Sequence, residues 1–149
     1  MELRKVILRY LTGSTVPAYA PIFDEGADPV PAVDLEGKPF WVPLRELKAV
    51  FFVRTFSGNP DYDPPKSAGE LPKLPSGRLV QLDFLDGERI FGDVADKATD
   101  ASRGFFVTVL DPEDNNVLLY VNPAGLAGPP THPEVQPSPP GTPEALFES

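Results

Sequence analysis

A chain of 149 residues with 41 % apolar content has room for one ordinary domain, or two very small ones sharing a core. It has no cysteine, which excludes disulfides, thiol nucleophiles and cysteine-ligated zinc or iron–sulfur sites. The formal charge is −9 and Arg103 is the last basic residue, so phosphate recognition would need a basic patch within the first 103 residues.

The opening stretch, "MELRKVILRYLTGS", sets charges ahead of a short apolar run, as a signal peptide does. Arg9 interrupts that run and no small-residue cleavage site follows, so it reads as a first strand and the expected location is cytoplasmic. No apolar run approaches the roughly 20 residues of a membrane span. The 20 prolines and 12 glycines favour short strands and loops over long helices.

Placing Leu11-Thr12-Gly13 over Leu85-Asp86-Gly87 aligns the segments on either side. Val6, Leu8 and Tyr10 then match Val80, Leu82 and Phe84, and Val16, Ala18 and Ala20 match Ile90, Gly92 and Val94. Asp86-Gly87 is a strong hairpin signal, and the alternation before it puts Val80, Leu82 and Phe84 on a core face with Gln81 and Asp83 outward. Further on, "FWVPLREL" (residues 40–47) matches "LYVNPAGL" (119–126), so each half reads as hairpin, variable loop, return strand and one short helical turn. In "LKAVFFVRTF" (47–56) apolar residues occupy both alternations, which suits a strand buried on both faces. The first half then counts about five strands, the order of an Sm-like small barrel. The second half has no equally good last strand, since "AGPP" follows Leu126; its barrel is expected to stay open or to borrow an edge.

Residues 57–77 are rich in Pro, Gly and Ser and read as a linker. Within it "GNPDYDPP" joins a turn signal to Tyr62, whose ring and hydroxyl suit an interface; Asn59 and Tyr62 are candidate interaction residues. The simpler reading is a loop folded back on its own barrel. "DPEDNN" gathers Asp111, Glu113, Asp114, Asn115 and Asn116 into a polar cluster with the spacing of a calcium loop, but Asn116 and Asn122 stand where such a loop needs a glycine and a bidentate acid. A hairpin tip explains it better. "DASRG" (100–104) is similar to the motif of PilZ barrels, yet the second glycine and the upstream arginine pair are missing. The only histidine, His132, lies in the proline-rich tail and reads as solvated; Ser14, Ser57 and Ser102 have no evident base. The tail, 128–149, is expected to be disordered, with Leu146 and Phe147 as a candidate anchor at its tip.

"LKAVFFVRTFSGNPDY" and "GFFVTVLDPEDNNVLLYV" resemble an uncharacterised bacterial family that carries LKAVFFV-x-x-F-x-GNP-x-Y, a DG hairpin and a GFF-to-NN segment. The resemblance runs from about Arg4 to Leu126 and implies an Sm-like small barrel, sometimes beside signalling modules, with no catalytic residues to transfer. The hairpin "VQLDFLDGERIFGDV" is similar to the first Sm motif, with Gly87 and Gly92 in place. The pocket residues of Sm proteins are replaced by Ala98, Ala101 and Asn122-Pro123, so the likeness implies the fold without the RNA pocket.

The resulting expectation is an all-β protein of duplicated Sm-like small β-barrel halves packed together, with a disordered Pro-rich tail. The divisions are 1–56, first half; 57–77, linker; 78–127, second half; and 128–149, tail. The expected role is a non-catalytic binding or adaptor module for a protein partner in a bacterial regulatory or signalling context, with no cofactor and no membrane, and with homo-oligomerisation open. The competing reading, a barrel sensing a small ligand or nucleic acid, rests on Arg4, Lys5, Arg9, Lys48 and Arg54; nucleic acid is disfavoured by the charge. A carboxylate-dependent hydrolase ranks third, because no acid pair is recognisable.

Overall fold

The computed structural model describes residues 2–71, 78–94 and 102–133. Strand β1 (Arg4–Tyr10) alternates as read, with Val6 and Leu8 buried, and turns at Gly13 (φ +98°) into β2 (Thr15–Ala20). β3 (Val30–Val33) and β4 (Pro39–Val42) form a second hairpin, whose turn is held by the Asp34 carboxylate accepting from the Glu36 and Lys38 amides. A 3₁₀ turn, Leu44–Glu46, precedes β5 (Leu47–Val53). The second half has β6 (Leu79–Asp83), β7 (Arg89–Asp93), β8 (Phe105–Val109) and β9 (Asn116–Val121), followed by a 3₁₀ turn at Pro123–Gly125.

All nine strands join one antiparallel sheet in the order β4-β3-β2-β1-β5-β9-β8-β7-β6. Its middle strands, β5 and β9, are sandwiched. Val50 and Phe52 join Tyr120 in one core with buried residues of β1 to β4, while Ala49 and Phe51 join Leu119 and Val121 in a second core with β6 and β8. The sheet therefore folds over one face at one end and over the opposite face at the other. Period-two alternation makes this possible, because successive side chains of β5 and β9 serve different cores. No helix among the described residues is long and apolar enough to cross a membrane.

Two segments that read as tail and linker make contacts with the sheet. The chain after Leu126 lies along β6, bridging Phe84 to Leu126 and Gln81 to Thr131, with reciprocal Gln81–Thr131 backbone bonds of 2.8 and 3.1 Å. Pro129 and Pro130 hide this segment in the sequence, yet the amides of Ala127 and Thr131 on either side of them still donate to Asp83 and Gln81. His132 therefore lies against the strand, with Nδ1 3.1 Å from the Leu79 carbonyl oxygen. The proline-rich segment after β5 also packs: Ala68 and Leu71 cover Leu79, Phe91 and Leu110.

Asn122, where the Sm likeness would place a pocket residue, ties the chain after β9 to the segment before β5. Its buried amide donates to the Leu44 and Leu47 carbonyls at 3.0 and 2.8 Å and accepts from the Ala124 amide. Leu44 keeps a second donor, the Leu47 amide. Asn122→Ala should therefore cost about 2 kcal/mol in urea unfolding, chiefly from the buried groups left unpaired. A loss below about 0.5 kcal/mol would show that water replaces the amide.

Candidate functional site

Beyond β5 the chain is steered by the tip of the β8–β9 hairpin. Arg54 Nε donates to the Asp114 carbonyl at 3.1 Å. Asn115 pairs with Thr55 as an extra rung of sheet, accepting from its amide at 3.0 Å and donating to its carbonyl at 2.9 Å. Gly58, at φ +74°, then permits a turn in which the Tyr62 amide donates to the Asn59 carbonyl. That turn brings the Tyr62 hydroxyl to Asp111, to which it donates a short hydrogen bond. Burial and the Asp111 bond push the phenol above its ordinary range.

The tip itself is built from Asx turns, as its composition indicated. Asp111 accepts from the Glu113 amide and Asp114 from the Asn116 amide, both at 2.9 Å. Burial, with Asp111 close by, raises the Asp114 carboxyl above the usual carboxylate range. No group of three acidic, histidine or cysteine side chains among the described residues is arranged to hold a metal ion.

Three adjoining cavities of about 480, 420 and 360 Å³ share Tyr62 as a common wall. The largest is lined by Pro64, Pro65, Ile90 and Val109, by the acids Asp83, Glu88, Asp111 and Asp114, and by the cations Lys66 and Arg89. The second is walled by Asp61, Asp63, Glu70, Asp111 and Glu113, with no lysine or arginine. The third reaches Arg9, Asn59, Asn115 and Asn116. Two groups of residues that stood apart in the sequence, Asn59 with Tyr62 and Asp111 with Asp114, Asn115 and Asn116, thus meet at one groove. Leu146 and Phe147 lie outside the described residues.

The model of a family of unknown function (DUF6982) matches residues 2–128. The chain belongs to this family. No curated protein and no solved structure matches it. The matched span contains all nine strands, the hairpin tip and the segment bearing Tyr62, so the groove is built wholly within the DUF6982 region.

Several described cations of this DUF6982 chain are engaged internally. Lys48 is buried, with its ammonium 2.6 Å from Asp86 and 2.5 Å from Glu88 and 4.7 Å from the centre of the Phe84 ring. Arg9 stacks on Phe51 and lies 3.4 Å from Glu88, and Arg54 holds the hairpin tip. Three of the five cations that favoured a phosphate ligand are thus committed to the fold. Ala98 and Ala101 fall outside the described residues, while Asn122 faces the first half's backbone. Sequence reading also missed Asp61, Asp63, Glu70 and Glu88 as groove residues; only their acidity within a turn-rich segment was visible, and that is equally the mark of a solvated loop.

Proposed function

We propose that this DUF6982 chain is a non-catalytic binding module whose groove around Tyr62 receives a segment of a protein partner. One observation carries the reading: three adjoining cavities meet at a tyrosine that Asp111 holds in place. A concave, partly apolar surface with a few fixed polar groups is the usual form of a binding site, and a pinned tyrosine brings large contact area at low entropic cost. An adaptor role in a reducing, cytoplasmic setting agrees with a cysteine-free chain.

We read the scaffold as two copies of one Sm-like small barrel. Tyr10 donates its amide to the Ser14 carbonyl as Phe84 does to Glu88, and Gly13 donates to Tyr10 as Gly87 does to Phe84. Leu11 donates to the Glu46 carbonyl and Leu85 to Gly125, each at a 3₁₀ turn. The strand registers agree as well, Leu8 facing Val16 and Leu82 facing Ile90. These paired bonds support a duplication more firmly than alternation does, because they match turn, register and closing contact together.

The binding reading is tested by affinity purification from the native lysate with tagged wild-type, Tyr62→Ala and Trp41→Ser chains. Trp41 lies on β4, at the far end of the sheet, and is exposed. A partner retained by the wild-type and Trp41→Ser chains but lost with Tyr62→Ala supports the groove. Loss with Trp41→Ser and retention with Tyr62→Ala would move the site to the β4 edge.

A further inference from the structure

The groove carries more negative charge than its own chain balances. Arg89 is 2.6 Å from Asp83, and Lys66 is 3.7 Å from Asp63. Glu88 is taken by Lys48 and Arg9. Asp61, Glu70, Asp111, Glu113 and Asp114 line the two larger cavities and have no ion-pair partner among the described residues. The largest cavity also carries Lys66 and Arg89 on its lining, but the second has acids and no lysine or arginine, and a concave surface of one sign concentrates ions of the other sign. Beside it stands apolar surface: Ile90 and Val109 are half-buried at the wall of the largest cavity, which Pro64 and Pro65 also line.

We infer that the occupant of the groove is an extended basic peptide segment of a protein partner, in which lysine or arginine alternates with apolar residues. This rests on the groove being the binding surface proposed above. Alternation fits because an extended chain presents successive side chains to opposite sides. An apolar side chain enters the cavity between Pro64 and Ile90, while its basic neighbours meet Asp61, Glu70 and Glu113 in the adjoining one. A free polyamine would satisfy the carboxylates and leave the apolar wall bare. Nucleic acid would be repelled by the same carboxylates.

The probe is a fluorescein-labelled peptide of alternating arginine and leucine, titrated with the full chain and read by anisotropy. Saturable binding is expected, weakening several-fold between about 0.05 and 0.3 M salt as screening shortens from about 14 to 6 Å. The double variant Asp61→Asn/Glu113→Gln changes two exposed residues of the groove and should weaken binding about fivefold, the scale of two exposed ion pairs. Glu2→Gln/Glu36→Gln, with both residues exposed on the first half, should bind as wild type. A matching peptide with serine for leucine should bind at least about fivefold more weakly, as removal of apolar burial requires. Equal weakening by both double variants would reduce the effect to attraction by an acidic protein, and equal affinity for the serine peptide would remove the apolar subsite; either overturns the inference. Absence of saturable binding, with partner capture still lost in Tyr62→Ala, would overturn the basic peptide and leave the groove standing. If Tyr62→Ala binds the peptide and captures the partner like wild type, the groove reading falls too.

Discussion

Expressed separately, residues 2–58 and 76–133 should each fail to melt cooperatively, and mixing them should restore a single sharp transition. The reason lies at the β5–β9 junction. Its register runs from Ala49 opposite Val121 to Val53 opposite Asn116, so parting the halves exposes one edge of each strand. It also opens both cores. Tyr120 belongs to the second half by sequence, yet it is fully buried in the first half's core. There it lies 4.8 Å from the ring centres of Phe23 and Phe106, and its hydroxyl donates to the Ala27 carbonyl at 2.7 Å. Burial pushes that phenol up to about 12. Withdrawing such a side chain forfeits roughly 1.5–3 kcal/mol of apolar burial and leaves the Ala27 carbonyl without its tyrosine donor. The Lys48 ion pairs and the Asn122 clamp are lost in the same step. Against a total stability of about 5–15 kcal/mol for a domain, pieces this small have no reserve. The second piece must run to 133, because Thr131 and His132 lie along β6. Circular dichroism melts of each piece and of the mixture decide the matter; two independent sharp transitions would mean separate domains.

Gly92→Ala should destabilise the intact chain by about 3 kcal/mol, at the upper end for overpacking. A Cβ built on Gly92 would sit 2.1 Å from Val107 Cγ1 and 2.7 Å from the Thr108 carbonyl oxygen. The valine methyl can be moved or removed, but the Thr108 carbonyl belongs to the neighbouring strand. Relief there requires β7 and β8 to separate where Gly92 faces Val109. Pairing Gly92→Ala with Val107→Ala should therefore recover little, since the backbone clash stays and the second change adds a cavity. Full recovery in the double variant, measured by urea unfolding, would show that the side-chain contact alone makes the glycine necessary.

The need for a glycine at residue 92 has a local signal, because a glycine within an alternating strand marks a close approach. The same holds for the hairpin turns at Gly13 and Gly87, the core faces of β1 and β6, and the two-sided burial of β5. These are local properties. Backbone stereochemistry and a two-residue period act over a few neighbours, so residue order alone determines them. The placing of β9 beside β5 was not local: both strands are apolar on both faces, and periodicity cannot name the neighbour. Lys48 counted among the cations available to a ligand until the fold set Asp86 and Glu88 over it, 38 and 40 residues further on. The chain from Gly128 read as tail because its prolines lack amides, whereas the amides that pair lie on either side of them. Tyr62 and Asp111 lie 49 residues apart and each sits in a stretch that reads as an ordinary polar turn. Sequence alone determined which residues could turn and which could be buried; only the packing of one half against the other decided that these two turns meet, because a groove is a property of surfaces brought together and not of either segment.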